Sequence, residues 1–244
     1  MVVPLPLAPA DFPRLHAHLS VPACSPSPAQ VAWVEAAIRT GRHGALQAEM
    51  REASKACKCS SQSLLLMLVN PSTGESMLHA AIDAQRIDSV IRLRRFFTPS
   101  VPRYERAYHL LAVHRTWSTG DTVLHIAARS GIQDMVTAAF RFMACDWLPG
   151  EPRPFPGTSE DACFAADQPL DVLRLPRLVF LLAENNFGRD AAAEASLAGH
   201  GQVAEWLRRV IENHDCFNQR QDPAMVQQWR NYVDDMYSLD GRDY

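Results

Sequence analysis

The stretch that decides the fold is Gly120-Asp121-Thr122-Val123-Leu124-His125-Ile126-Ala127-Ala128-Arg129-Ser130-Gly131. The small Ala127-Ala128 pair lets one helix lie close against a neighbour. Gly131 permits the positive φ of a turn that reverses the chain. Apolar residues then recur at helical spacing, at Met135, Val136, Ala139 and Phe140. The stretch therefore predicts two short antiparallel helices joined by a glycine turn.

Two further segments align with this stretch without gaps, which predicts a repeated unit. The first is Gly74–Val90, which carries Leu78-His79 and Ala80-Ala81 but has Gln85 in place of the turn glycine. The other is Gly188–Leu207, which keeps Gly199-His200 but replaces the Leu-His pair with Ala192-Ala193. Upstream, residues 30–46 read as a helix, a turn at Gly41 and a second helix, which predicts a divergent first hairpin.

These residues resemble the ankyrin repeat, and the segment from Gly120 to Val136 matches it best. The resemblance implies an all-α ankyrin-repeat solenoid of helix-turn-helix hairpins. It also implies that His79 and His125 are structural, tying neighbouring repeats together by hydrogen bonds. Proteins of this class usually bind other proteins and carry little chemistry of their own. We therefore expect a non-enzymatic interaction module or adaptor.

The clear repeats, near 70–97, 116–147 and 185–212, lie further apart than the usual period of about 33 residues. We expect long inter-repeat insertions, one over Thr98–Trp117 and one over 148–184. Prolines 149, 152, 154 and 156 favour an insertion in the second case, although an eroded repeat stays open because Pro169–Ala183 could form helix. The whole repeat domain is expected to span 29–212.

Two flanking segments complete the organisation. Residues 1–28 are rich in proline and predict a poorly ordered leader. Residues 213–244 contain an amphipathic helix that is expected to begin at Asp222-Pro223, where an N-cap residue precedes a proline. This helix either covers the end of the repeat array or serves as a recognition helix for a partner.

Composition sets the broad class. The formal net charge is −3 and the hydrophobic fraction is 47%, typical of a globular protein without a general affinity for nucleic acid or membranes. No apolar run approaches the ~20 residues that span a bilayer. The first residues lack the basic start of a secretory signal, and the six cysteines show no disulfide pattern. We expect a cytoplasmic protein, and nuclear residence stays open.

Catalytic and metal-binding patterns are not found. Cys57 and Cys59 are too close for the usual zinc-ligand spacing, and His109 and His114 do not share one face of a helix. Neither His79 nor His125 is accompanied by a recognisable nucleophile, and no glycine-rich phosphate loop is present. We therefore expect no enzyme activity, no cofactor and no metal.

The resemblance also indicates which residues would face a partner. Positions expected in the concave groove are Glu75, Asp83, Asp121, Ile126, Arg129, Arg189 and Glu194. Trp117 lies at a finger position and is either an exposed binding hot spot or packed on the adjacent finger. A basic run includes Arg92, Arg94, Arg95, Arg103 and Arg106. This run is either a solvated outer helix or a contact for RNA or an acidic partner.

A narrower resemblance suggests an alternative function. The segments Ser118-Thr119-Gly120-Asp121-Thr122 and Asn185-Asn186-Phe187-Gly188-Arg189-Asp190-Ala191 are similar to those of small yeast-type ankyrin chaperones. Those proteins escort one newly made small-subunit ribosomal protein, so the resemblance implies a role in ribosome biogenesis with a basic client. The loop before the last repeat is longer in this chain, and its C-terminal segment is only mildly acidic.

Overall fold

The structure, a computed structural model, describes residues 26–57, 59, 61–96, 111–144, 174–215, 221–225, 227, 228 and 231. Ten helices have defined bounds in these residues. They are α1 Pro28–Thr40, α2 His43–Cys57, α3 Ser61–Met67, α4 Met77–Asp83, α5 Ile87–Arg95, α6 Val123–Ser130, α7 Gln133–Ala144, α8 Arg174–Leu181, α9 Ala191–Leu197 and α10 Gly201–His214. The only β feature in the same residues is an isolated bridge between Val69 and Ser76. The described chain is all-helical, as the sequence predicts.

Four helical hairpins follow one another, formed by α1–α2, α4–α5, α6–α7 and α9–α10. Their first helices begin alike, after an N-cap residue with extended backbone, at Ser27, Ser76, Thr122 and Asp190. They end alike too, because the reversing residue has positive φ at Gly41, Gln85, Gly131 and Gly199. The turn predicted at Gly41 is confirmed. Gln85 adopts the left-handed backbone without being glycine, and this conformation is strained for a residue with a side chain.

The hairpins stack in two layers. In the inner layer α1 packs on α4, α4 on α6, and α6 on α9, while in the outer layer α5 packs on α7. Leu78 and Leu124 are fully buried between the layers, where the sequence pattern places them. Phe140 of α7 meets the rings of Trp206 and His214 on α10 edge-on. Each hairpin therefore relies on its neighbours for much of its core.

A short helix precedes each loop that connects one hairpin to the next. α3 lies before Asn70–Glu75, residues 111–113 are helical before Thr116–Asp121, and α8 lies before Asn185–Arg189. α8 packs between α7 and α10, and it confirms that helix forms within Pro169–Ala183. Residues 97–110 and 145–173 lie outside the described residues, so the predicted insertions stay predictions.

The C-terminal helix begins where the sequence predicts. The Asp222 carboxylate accepts a hydrogen bond from the Ala224 N–H at 2.9 Å, and residues 223–225, 227, 228 and 231 are helical. Most of the described side chains in this helix are exposed. The apolar residues at 229, 232, 233 and 236, and the leader residues 1–25, lie outside the described residues.

Candidate binding groove

Three loops, which we call fingers, project from the inner layer at Asn70–Glu75, Thr116–Asp121 and Asn185–Arg189. Each finger closes on itself by backbone hydrogen bonds, such as Gly74 N–H to the Asn70 carbonyl at 2.9 Å and Gly188 N–H to the Asn185 carbonyl at 3.0 Å. Successive fingers are also joined to one another. Their backbone N–H groups donate from Trp117 to Thr73 at 3.0 Å and from Asn186 to Thr119 at 2.8 Å. We call the surface that the fingers and the inner helices present the groove.

Two buried histidines fasten the inner helices to the next finger. His79 Nε2 donates to the Asp121 carbonyl at 3.2 Å, and Ser76 Oγ lies 2.8 Å from its Nδ1. His125 Nε2 donates to the Arg189 carbonyl at 2.9 Å, and Thr122 Oγ1 lies 2.8 Å from its Nδ1. Burial lowers the pKa of each histidine to about 4, so both are neutral at pH 7. The structural role expected of these histidines is confirmed.

A third link joins α1 of the first hairpin to the first finger, and it uses a glutamate instead of a histidine. Glu35 of α1 occupies the position that His125 has in α6, six residues before the turn glycine. The Glu35 carboxylate accepts a hydrogen bond from Asn70 Nδ2 of the first finger at 3.0 Å. A carboxylate is thus used where the second and third hairpins use a neutral imidazole ring.

The first part of the groove carries an excess of acid. Arg39 forms ion pairs with Glu35 at 2.9 Å, with Glu75 at 3.3 Å and with Asp83 at 2.6 Å. This first cluster has three carboxylates and one guanidinium, a net charge of −2. The Asp83 side chain is 52% exposed. Burial, reinforced by the neighbouring carboxylates of Asp83 and Glu35, raises the pKa of Glu75 despite the attraction of Arg39.

The last part of the groove, beside α6 and α9, has two arginines and two carboxylates, and the carboxylates are buried. Arg129 pairs with Asp121 at 2.6 Å and Glu194 at 3.3 Å, and Arg189 pairs with Glu194 at 2.7 Å. Asn185 Nδ2 donates to both carboxylates of this second cluster, at 3.0 Å to Asp121 and 2.7 Å to Glu194. The two carboxylates are only 2% and 4% exposed.

In the second cluster, hydrogen bonds lower the pKa values of the two carboxylates by more than burial raises them. Burial alone would raise the pKa of Asp121, but hydrogen bonds from Arg129, Thr119 and Asn185 lower it to about 2. The pKa of Glu194 is likewise lowered, because bonds from Asn185, Arg189 and Arg129 outweigh its burial. Both carboxylates are therefore held ionised within the protein.

The structure thus sorts the predicted partner-binding residues. Asp83 is exposed, whereas Glu75, Ile126, Arg129 and Arg189 are partly exposed along the groove. Asp121 and Glu194 are buried and occupied by internal bonds, which removes them from the surface that a partner could touch. Sequence analysis missed Arg39, although it stands two residues before Gly41 as Arg129 stands before Gly131. That shared spacing was a signal that could have identified it.

Trp117 packs on the adjacent finger, which is one of the two alternatives that the sequence left open. Its ring fills the space beside Gly74, where an added Cβ would lie only 2.2 Å from Trp117 Cδ1. The side chain is partly buried against the core. Two apolar side chains that are more exposed than Trp117 are Phe187, which is 60% exposed, and Leu197, which is 67% exposed. The Arg189 guanidinium lies 4.8 Å from the centre of the Phe187 ring.

The basic run is divided by the structure. Arg92 and Arg94 are partly buried and Arg95 is exposed, while Arg103 and Arg106 lie outside the described residues. Arg94 Nη1 donates to the Arg141 carbonyl, which ties α5 to α7. Arg86, nearby, pairs with Asp88 at 2.6 Å. At least one arginine of the run therefore supports the packing of outer helices.

The described residues lack two other kinds of site. None of their His, Cys, Asp and Glu side chains form a group of three or more that could hold a metal ion. No helix among them is long and apolar enough to cross a membrane. The chain matches none of the protein-family models, curated proteins or solved structures with which it was compared.

Proposed function

We propose that the chain is a non-enzymatic ankyrin-repeat solenoid that binds a basic segment of another protein along the groove. The observation that carries the proposal is the net charge of −2 in the first cluster, where Asp83 is exposed and three carboxylates share one arginine. Supplying a cation from a partner would complete these ion pairs. The ankyrin assignment itself is supported by the matching caps, turns, fingers and histidine bonds of the hairpins.

The first cluster suits recognition better than stability. Exposed ion pairs contribute little to folding, about 0–1 kcal/mol each, but complementary charge guides association and selects partners. Glu75 and Asp83 belong to one finger and the helix that follows it, so the hairpin holds them at a fixed separation. A lysine- or arginine-rich segment lying across the first two hairpins would meet both carboxylates.

The dedicated chaperone of a newly made small-subunit ribosomal protein remains a second candidate. The same acidic excess favours it, because ribosomal proteins that bind RNA are basic. An adaptor in a larger assembly and a chaperone differ in their partners. The chaperone would hold one basic client, whereas the adaptor would hold subunits of one complex.

The test begins with proteins that co-purify with the tagged chain from its native host, with and without ribonuclease. One near-stoichiometric small-subunit ribosomal protein that survives ribonuclease would support the chaperone. Unrelated subunits of one assembly would support the adaptor. Recovery that disappears with ribonuclease would favour RNA binding through Arg92, Arg94 and Arg95 instead.

Affinity for the identified partner then tests the groove. The double substitution Glu75→Gln with Asp83→Asn should weaken binding roughly five- to ten-fold at moderate salt. The matched control is Asp134→Asn with Glu205→Gln, which removes two exposed carboxylates from the outer helices α7 and α10. Equal affinities for the two double variants would overturn the assignment of the groove.

A further inference from the structure

One position of each inner helix, two residues before the turn, carries side chains that bridge hairpins along the groove. The turn residues are Gly41, Gln85, Gly131 and Gly199, so the four equivalent positions are Arg39, Asp83, Arg129 and Leu197. Arg39 pairs with Asp83 across α1 and α4 at 2.6 Å, and Arg129 reaches Glu194 of α9 at 3.3 Å. Three members of this row are therefore charged groove residues, and the fourth is a leucine.

Leu197 is 67% exposed, so packing of the core does not account for it. The apolar side chains that α9 buries are small ones, at Ala191, Ala192 and Ala195. Single exposed leucines are common on protein surfaces, but this one occupies the position that the other three hairpins give to a charged residue of the groove. The row therefore ends in an apolar group.

The finger of the same hairpin carries a second exposed apolar side chain. Phe187 stands one residue before the finger glycine, where the second finger has Thr119. Thr119 Oγ1 donates to the Asp121 carboxylate at 2.6 Å, so a side chain at this position turns towards the groove. Phe187 is 60% exposed, and its ring centre lies 4.8 Å from the guanidinium of Arg189, a groove residue. We call Phe187 and Leu197 the apolar end of the groove.

The charges beside the apolar end are already bonded within the protein. Arg129 and Arg189 pair with the second cluster's two carboxylates, which leaves no net charge there. Ile126 is partly exposed on α6, which packs between α4 and α9. This part of the groove therefore offers apolar contact to a partner, whereas the first cluster offers two unbalanced negative charges.

We propose that the basic segment bound by the first cluster also carries an apolar side chain, which contacts Leu197 and Phe187. The inference rests on the proposed function, because the net charge of −2 selects the segment by charge complementarity and fixes one of its ends. At the other end, an apolar side chain of the segment removes the exposed surfaces of Leu197 and Phe187 from water. The groove thus recognises two features of one segment, a cation beside α4 and an apolar side chain beside α9.

The packing of the inner helices sets the distance between these two features. α4 packs on α6 and α6 on α9, so two helix-to-helix steps separate Asp83 from Leu197. Packed helices lie about 8–10 Å apart, which gives a distance of about 16–20 Å. An extended segment advances about 3.3 Å per residue, so its basic and apolar residues should stand about five or six positions apart.

A peptide selection on the full chain tests this pattern with a defined probe. The probe is a phage-displayed library of random peptides about 16 residues long, enough to span the distance in extended form. Recovered sequences are compared with the unselected library. Peptides that carry lysine or arginine about five or six positions from leucine, isoleucine or phenylalanine should be enriched at least about five-fold, because they meet both ends of the groove.

A pair of variants assigns the apolar preference to its site. Leu197→Ser changes an exposed side chain, so the variant should fold and select basic peptides without the apolar preference. A peptide selected on the unaltered chain should bind it about five- to ten-fold more weakly. The matched control is Trp33→Ser, which should keep both preferences. Trp33 is 39% exposed, but its position is the one that packs between hairpins elsewhere in the array, at Met77, Val123 and Ala191.

The outcomes separate this inference from the proposed function. An apolar preference that is absent, or that is equal for the unaltered chain and Leu197→Ser, would overturn the inference alone, since a basic preference would still support the groove. Loss of the apolar preference in Trp33→Ser would also overturn it, by showing an effect that is not specific to the apolar end. Selected peptides without basic residues, or an unchanged basic preference in Glu75→Gln with Asp83→Asn, would overturn the proposed function together with the inference.

Discussion

We call each contact between neighbouring inner helices a joint; the first joint lies between α1 and α4, and the last between α6 and α9. Equivalent positions in these two joints carry different side chains with different roles. Between α1 and α4, Glu35 and Arg39 belong to a partly exposed acidic cluster, in which burial raises the pKa of Glu75. Between α6 and α9, His125 and Arg129 face a buried, balanced cluster, and the pKa of Glu194 is lowered. Glu75 and Glu194 are the same residue type, yet their pKa values shift in opposite directions. The number of hydrogen bonds that each carboxylate accepts therefore decides whether its charge is stabilised inside this fold.

The largest expected effect is the loss of folding stability at low pH, because His79 and His125 fasten the later joints. His79 and His125 have a pKa near 4 in the folded protein against 6.5 when exposed, so the unfolded chain binds more protons in this range. Their stabilisation is complete above pH 6.5 and is lost as the pH falls towards 4, by about 3 kcal/mol for each histidine. Asp121 adds a further loss only below about pH 4, because its pKa is lowered from 3.8 to about 2.

Urea unfolding between pH 7 and pH 4 measures this loss. The variant His125→Gln cannot titrate at the last joint, so its stability should fall by about 3 kcal/mol less over the same range. An unchanged pH dependence in that variant would show that His125 is not the group responsible.

The next largest loss of stability is expected when a buried side chain is shortened at the last joint. Leu124→Ala should destabilise the protein by about 2–5 kcal/mol, because Leu124 is fully buried. Val34 has the equivalent position in α1, and Val34→Ala should cost about 1 kcal/mol less because its side chain is one methylene shorter. Near-wild-type chemical and thermal stability of Leu124→Ala would contradict the repeat assignment.

The two acidic clusters can be compared by a matched pair of substitutions. Asp121→Ala should cost about 2–4 kcal/mol, because it removes a buried acceptor of Asn185 and Thr119 and one of the two buried carboxylates that pair with Arg129. Asp83→Ala should change the stability by no more than about 0.5 kcal/mol, since its ion pair with Arg39 is exposed. Equal losses in denaturant unfolding would remove the distinction between the clusters.

A small stabilising effect is expected at the turn between α4 and α5. Gln85 has φ +55, whereas the other three hairpin turns have glycine. Gln85→Gly should stabilise the protein by about 0.5–1 kcal/mol, because relief of the left-handed backbone exceeds the added freedom of the unfolded chain. The midpoint of urea unfolding should rise, and a lower midpoint would indicate that the Gln85 side chain contributes more than its backbone costs.

Local patterns made much of this fold predictable. Gly131 and the Ala pairs are constrained by short-range geometry, so they predicted helices and turns. The roles of His79 and His125 were implied by the resemblance to the ankyrin repeat. The clusters were less accessible because their contacts join residues far apart in the chain, such as Arg39 with Glu75 and Asn185 with Asp121. The resemblance to the ankyrin repeat placed Asp121 and Glu194 by the groove, but only the packed structure shows that they are buried.

The stacking of neighbour on neighbour has a mechanical consequence. α1 packs on α4, α4 on α6 and α6 on α9, so a load applied across the array passes through the joints in series. A chain under tension yields first at its weakest link. We expect the first joint to be that link, because it has the partly exposed ion pairs of Arg39 in place of a buried histidine bond. Pulled from the α1 side, the protein should lengthen in steps that peel away the first hairpin while the histidine-fastened remainder still bears force.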